Sequence, residues 1–117
     1  VALQSTVEMA LDGAVNSEFV NGRFISGPGG APDFAFGASI ATGGRSIMAM
    51  PSTAANGAVS RIVRRLADGA PTTLPSYLAD VVVTEYGAVE LRGKTLAERA
   101  DLLSSIAHPD HRSSLNQ

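Results

Sequence analysis

Strand-like segments interleaved with short helices and glycine turns predict an α/β layer domain, with a mainly parallel or mixed sheet flanked by helices. Three observations carry this expectation. Val81-Val82-Val83 sets three β-branched residues in a row, which suits a strand in a sheet covered on both faces. Thr95 and Glu98 have capping-box spacing, and Leu96, Ala100, Leu103 and Ala107 follow at helical intervals as far as His108-Pro109. Glycine turns punctuate the chain between the periodic segments.

Taken in order, Val1, Leu3, Val7, Met9 and Leu11 share one parity, while Gln4, Thr6 and Glu8 share the other. That alternation predicts one half-buried strand over Val1–Leu11. Asp12-Gly13 is a turn, and a second extended stretch runs through Val20, Asn21-Gly22 and Phe24-Ile25. A glycine loop follows. Asp33 then reads as the N-cap of a short helix carrying Phe34, Ala38 and Ala41, ended by Gly43-Gly44. Ser46–Met50 reads as a short buried strand stopped by Pro51, and Ser52–Ala58 as a loop of small residues. Val59–Val63 is extended, and Pro71–Pro75 is an irregular connection.

With 117 residues, 44% hydrophobic and 17% charged, the chain is one globular domain. A net charge of −2 and a pI of about 5.6 give no general attraction for nucleic acid or an anionic membrane. No apolar run approaches the roughly 20 residues that a membrane-spanning helix needs. The absence of cysteine excludes disulfides, thiol catalysis and Cys-ligated metal, and fits a cytoplasmic location. The start at Val1, directly in a strand-like pattern, suggests a piece of a longer chain, with simple Met removal as the alternative.

Two segments carry candidate chemistry. Ser26-Gly27-Pro28-Gly29-Gly30-Ala31-Pro32 packs three glycines and two prolines into seven positions, ahead of a helix. No Gly-Lys-Ser or Gly-Lys-Thr follows and the spacing is not Gly-x-Gly-x-x-Gly, so neither phosphate-loop nor dinucleotide chemistry is indicated. Such a loop can aim N–H groups at a developing oxyanion, where one donor contributes about 2.7–4 kcal/mol; it can also be a tight turn without a ligand. Glu85 lies at the end of the Val81–Val83 strand, beside Tyr86-Gly87. Partial burial would raise its pKa and suit it to handling a proton or orienting a substrate carboxylate. A surface carboxylate paired with Arg92 is the competing reading, and the residues alone leave both open. His108 and His111 flank Pro109 with no third ligand near, so a helix-end and a surface histidine are expected and no metal site. Arg61, Arg64 and Arg65 read as a solvated basic edge in preference to a phosphate site.

The string Ser26-Gly27-Pro28-Gly29-Gly30-Ala31-Pro32-Asp33-Phe34 resembles the Ser-Gly-x-Gly-Gly-x-x-Asp-Phe segment of the acetyl-CoA hydrolase/transferase family. That family includes 4-hydroxybutyrate, butyrate and succinyl-CoA:acetate CoA-transferases. The resemblance continues through Gly43-Gly44-Arg45-Ser46-Ile47, Pro51-Ser52-Thr53-Ala54, Val59-Ser60-Arg61-Ile62 and Val83-Thr84-Glu85-Tyr86-Gly87. It runs on through Leu91-Arg92-Gly93-Lys94-Thr95-Leu96, Glu98-Arg99-Ala100 and Ile106-Ala107-His108-Pro109. Gln4 stands where relatives commonly have Asn, Ala10 where they have Asp, and Ala54-Ala55-Asn56-Gly57 lacks a Lys that many carry.

The resemblance implies a CoA-transferase-like (NagB/RpiA-like) layered domain, with residues 1–117 as the C-terminal part of a longer subunit. It implies coenzyme A, as an acyl-CoA substrate, with a small carboxylate or water as acceptor and no metal. In such enzymes a glutamate attacks the thioester and forms first an acyl-glutamyl anhydride, then a glutamyl-CoA thioester. That nucleophile is expected upstream of residue 1, and neither Glu8 nor Glu18 stands in its place. The Gly30 N–H, with Gly27 and Gly29, falls on the oxyanion loop, and Glu85 on an auxiliary carboxylate. Ser26, Asn56 and Gly87 fall on substrate- or CoA-contacting positions. The remainder of the same subunit is the implied partner, in a homo-oligomeric full-length form. The alternative is a non-catalytic acyl-CoA or carboxylate-binding module, complete in itself.

Overall fold

A four-stranded sheet organises the domain, and its strands come from four separated parts of the chain. The computed structural model describes residues 1–115. Strands β1 (Ala2–Gln4), β2 (Glu8–Ala10) and β3 (Val15–Asn16) open the chain, followed by a hairpin of β4 (Phe19–Val20) and β5 (Arg23–Phe24). Helix α1 (Ala31–Ile40) leads to β6 (Ser46–Ala49), a small hairpin of β7 (Thr53–Ala54) and β8 (Val59–Ser60), and β9 (Ile62–Val63). Strands β10 (Val81–Thr84) and β11 (Gly87–Glu90) precede helices α2 (Leu96–Ser105) and α3 (Pro109–Leu115).

The sheet order is β1-β6-β10-β11, with β6 parallel to β1 and β10, and β11 antiparallel to β10. A second sheet, β3-β2-β9, is likewise mixed. Pairing sets Gln4 and Val82 beside Met48, so these residues, with Ala2, Ser46 and Thr84, share one face. On that face lies the core: Met48 and Val82 pack with Ala35 of α1, Leu103 of α2, Ile106, and Met9, Ile62 and Leu74 from around the second sheet.

The expected strand over Val1–Leu11 is divided between β1 and β2, which belong to different sheets. Its parity also inverts: Ala2 and Thr6 are buried, while Leu3 is 69% exposed. Thr6 breaks the alternation because its hydroxyl lies 3.0 Å from the Asn16 carbonyl and ties the bend between the strands to β3. Asp33 is not the N-cap of α1. The helix starts two residues earlier, with Gly30 at the cap and Pro32 in its first turn, and Asp33 places its charge against the helix N-terminus. The helix ends at Ile40, before Ala41, whose backbone is already extended; Gly43-Gly44 lies beyond, where a Cβ on Gly44 would sit 2.1 Å from the Ala38 carbonyl oxygen.

Arg61 interrupts the extended Val59–Val63 segment and belongs to neither basic reading. Its guanidinium donates to the carbonyls of Thr6, Val7 and Thr53, whereas Arg64 and Arg65 are exposed. The capping box at Thr95 and Glu98 is formed, and α2 ends at Ser105, short of Ala107. β7, inside the expected Ser52–Ala58 loop, and β11 and α3 are not anticipated by the sequence reading. Finally, Val81 and Val83 are half-buried, so the β10 sheet is covered on one face within the described residues.

Thr84 locks the end of β10 to the end of α2. Its hydroxyl donates to the Ile106 carbonyl at 2.6 Å and accepts the Tyr86 N–H at 3.1 Å. Thr84→Val keeps the shape and leaves that buried carbonyl unpartnered, so a loss of about 1–3 kcal/mol is expected in denaturant unfolding. An unchanged midpoint would show that this bond does not secure the turn carrying Glu85.

Candidate active site

The three parallel strands β1, β6 and β10 end at one edge of the sheet, the edge where α/β sheets present ligands. Each delivers part of the site. After β10, Glu85 and Tyr86 form the two-residue turn of the β10–β11 hairpin, closed by Gly87 opposite Thr84. After β6, the Ser52 N–H donates to Glu85 Oε1 at 2.7 Å. At the end of β1, the Gln4 Nε2 donates to the Ala31 carbonyl at 3.2 Å and fixes the start of α1 beside the strand end. β6 alone separates β1 from β10, so the start of α1, held beside the end of β1, and the Glu85 turn stand at the same edge of the sheet.

Residues 26–30 are exposed, and the N–H groups of Gly27, Gly29 and Gly30 make no hydrogen bond among the described residues. Gly29 has φ +57°, a conformation that favours glycine, and this turns the loop into the helix. A Cβ on Gly30 would approach the Phe34 ring to 2.7 Å. Ser26 Oγ donates to the Ser17 carbonyl at 3.3 Å and holds the chain leading into the loop. The loop therefore offers free donors at an exposed helix start.

Glu85 is exposed, contrary to the expected burial, and its pKa moves the other way. Partial desolvation pushes it up, but hydrogen bonds from its own N–H and from Ser52 outweigh that and hold it below its ordinary value of 4.5. At neutral pH it is a carboxylate. Arg92 is not its partner: that guanidinium lies 3.1 Å from Asp80, a buried carboxylate that also takes two bonds from Arg45 at the opposite edge of the sheet.

Asn56 lies in a left-handed run with Ala55 and Gly57, at φ 57°, 53° and 91° respectively. His111 Nε2 lies 2.8 Å from the Gly57 carbonyl and pins this loop to α3. His108 Nδ1 accepts the Asp110 N–H, and its ring meets Tyr86 edge-on at 5.6 Å. Among the described residues no group of three or more His, Cys, Asp or Glu side chains could hold a metal. Sequence reasoning had passed over Ser52, and had given His108 and His111 no part in shaping the site. The available signal was His108-Pro109-Asp110, since Pro in the first helical position with an acid beside it marks the start of α3.

Glu8 and Glu18 are both engaged in structure. Glu8 Oε1 accepts from Asn16 Nδ2 and the Ala67 N–H, and buried Glu18 accepts from the Thr73 hydroxyl at 2.6 Å. A cavity of about 500 Å³ opens between β2, the β4–β5 hairpin and β7–β8, lined by Phe19, Ile25 and Val59 among others. Free amide donors and an ionised carboxylate share one edge.

The sequence matches the family model of the acetyl-CoA hydrolase/transferase C-terminal domain over residues 1–117. The chain belongs to that family. It is 49% identical over 115 residues to 4-hydroxybutyrate coenzyme A transferase of Clostridium kluyveri, covering 98% of this chain and 27% of the relative. It is 32% identical to acetyl-CoA hydrolase of Saccharomyces cerevisiae, covering 98% of this chain and 22% of the relative. RipA from Yersinia pestis superposes with a TM-score of 0.82 at 43% identity, covering 98% of this chain and 24% of that one. The 4-hydroxybutyrate CoA-transferase from Porphyromonas gingivalis superposes at 0.77 and 42% identity, covering 97% and 24%. The domain thus spans about a quarter of the length of the relatives it matches, and it corresponds to the C-terminal part of a larger subunit.

Proposed function

We propose that this domain supplies the oxyanion loop and an auxiliary carboxylate to CoA transfer between an acyl-CoA thioester and a carboxylate or water. The observation that carries the reading is the shared edge: free N–H groups of Gly27, Gly29 and Gly30 beside β1, and ionised Glu85 after β10. A glutamate from outside these residues attacks the thioester carbonyl and CoA leaves as the thiolate, giving an acyl-glutamyl anhydride. The thiolate then attacks the glutamyl carbonyl, the acyl group departs as a carboxylate, and a glutamyl-CoA thioester remains. An acceptor carboxylate, or water, completes the exchange. At each addition negative charge grows on a carbonyl oxygen, and the Gly30 N–H is the donor aimed at it.

Glu85 has its Oε1 held by the Ser52 N–H on an exposed turn. An ionised carboxylate so placed accepts a proton or a hydrogen bond and donates none, so its role is to orient the attacking group or take its proton. Ser26, Asn56 and Gly87 border the substrate, with Asn56 on the loop pinned by His111.

The whole subunit is expected to turn over acyl-CoA, and the isolated 117-residue chain to show none, because the nucleophile is absent. Thioester exchange or hydrolysis, followed by chromatography of the CoA species, measures both. Turnover by the chain alone that disappears with Glu8→Gln or Glu18→Gln would contradict the proposal.

A further inference from the structure

The central sheet has an apolar face that nothing in residues 1–115 covers. Register pairs Leu3 with Ile47 and Ile47 with Val81, and pairs Ala49 with Val83 and Val83 with Ala88. These six residues therefore lie together on the face opposite Met48 and Val82. Leu3 is 69% exposed, Ala88 is exposed, and the central four are half-buried. On the other face, α1 is tied to Gln4 through Ala31, and the end of α2 to Thr84 through Ile106. The apolar face thus stands bare, with the Arg45–Glu90 ion pair at 2.8 Å on its rim. All-parallel sheets are covered on both faces, and although β11 makes this sheet mixed, β1, β6 and β10 are parallel and the unbroken run Val81-Val82-Val83 has the pattern of a strand so covered.

We infer that this face is the docking surface for the part of the same subunit that leads into β1, which lays an apolar helical layer on Leu3, Ile47, Ala49, Val81, Val83 and Ala88. The inference rests on the reading of the chain as the C-terminal part of a longer subunit. Three quarters of the relatives' length lies outside the region matched here. Consecutive elements are usually neighbours in space, so the segment running into β1 reaches this sheet first. A layer in the same chain also needs no association equilibrium to hold it.

The test uses the whole subunit with its other cysteines replaced. Ala88→Cys is expected to react with iodoacetamide about tenfold or more slowly than Lys94→Cys, an exposed reference. A photoreactive benzoyl-phenylalanine in place of Leu3 is expected to cross-link within one subunit, to a peptide from before residue 1, with no gain in mass on a denaturing gel. Equal reactivity of the two cysteines, or a product of doubled mass from two subunits, overturns the proposal. Because CoA transfer is assayed separately, a subunit that is active yet open at Ala88 refutes the docking surface alone. One that is closed there but inactive refutes the function alone.

Discussion

Glu85→Gln in the whole subunit is expected to lower kcat/KM by about 10²–10⁴, the span of a positioned acid or base, while the fold persists. The change is isosteric, removes the charge and turns one acceptor oxygen into an NH2 donor. Glu85 sits on an exposed turn and its nearest bond is to the Ser52 N–H, with Arg92 committed to Asp80. A carboxylate serving only as half of a surface ion pair would contribute about 0–1 kcal/mol and leave kinetics alone. The pH dependence separates the roles further. Its folded-state pKa is lowered, so the active carboxylate is present above about pH 4.5 and is lost only as pH falls below that value. Wild-type enzyme should therefore show no acid limb from Glu85 between pH 5 and pH 8, and the deficit of the variant should be constant across it. Wild-type kcat/KM in a folded Glu85→Gln enzyme would return the residue to a structural role.

Gly30→Pro is expected to lower kcat by about 10²–10³, the cost of removing one oxyanion donor. Gly30→Ala is the control. Either substitution brings a Cβ to 2.7 Å from the exposed Phe34 ring, which must move, but alanine keeps the N–H and proline does not. Gly30 has φ −90°, near the range proline adopts, so the first helical turn tolerates both in outline. Proline also restricts Gly29, which sits at φ +57°, so thermal melts of both variants accompany the kinetics. A large loss for proline with a small one for alanine assigns the effect to the donor. Equal losses would assign it to the Phe34 contact, and no loss in either would remove the loop from the chemistry.

Legibility followed how local each signal was. The capping box of α2 and the Val81–Val83 strand are set by neighbouring residues, and each stands where the sequence placed it. The strand expected over Val1–Leu11 failed because alternation across Thr6 spans two sheets, which only the bond from Thr6 to Asn16 reveals. Asp33 is a residue type that favours the cap, yet Pro32 before it already belongs in the first turn. Glu85 was located correctly, but its environment was not. Its lowered pKa depends on Ser52, 33 residues away in sequence, and no spacing encodes that contact. The glycine loop and Glu85 are separated by more than fifty positions and meet at one edge only through the parallel pairing of β1, β6 and β10.

The most direct test of the account is to trap the covalent intermediate. The whole subunit is incubated with an acyl-CoA, the thioester is reduced with borohydride, and the modified peptide is mapped by mass spectrometry. The account predicts one modified glutamate, outside residues 1–117, formed at full extent but more slowly in Glu85→Gln. A modification on Glu8, Glu18, Glu85, Glu90 or Glu98 would contradict it.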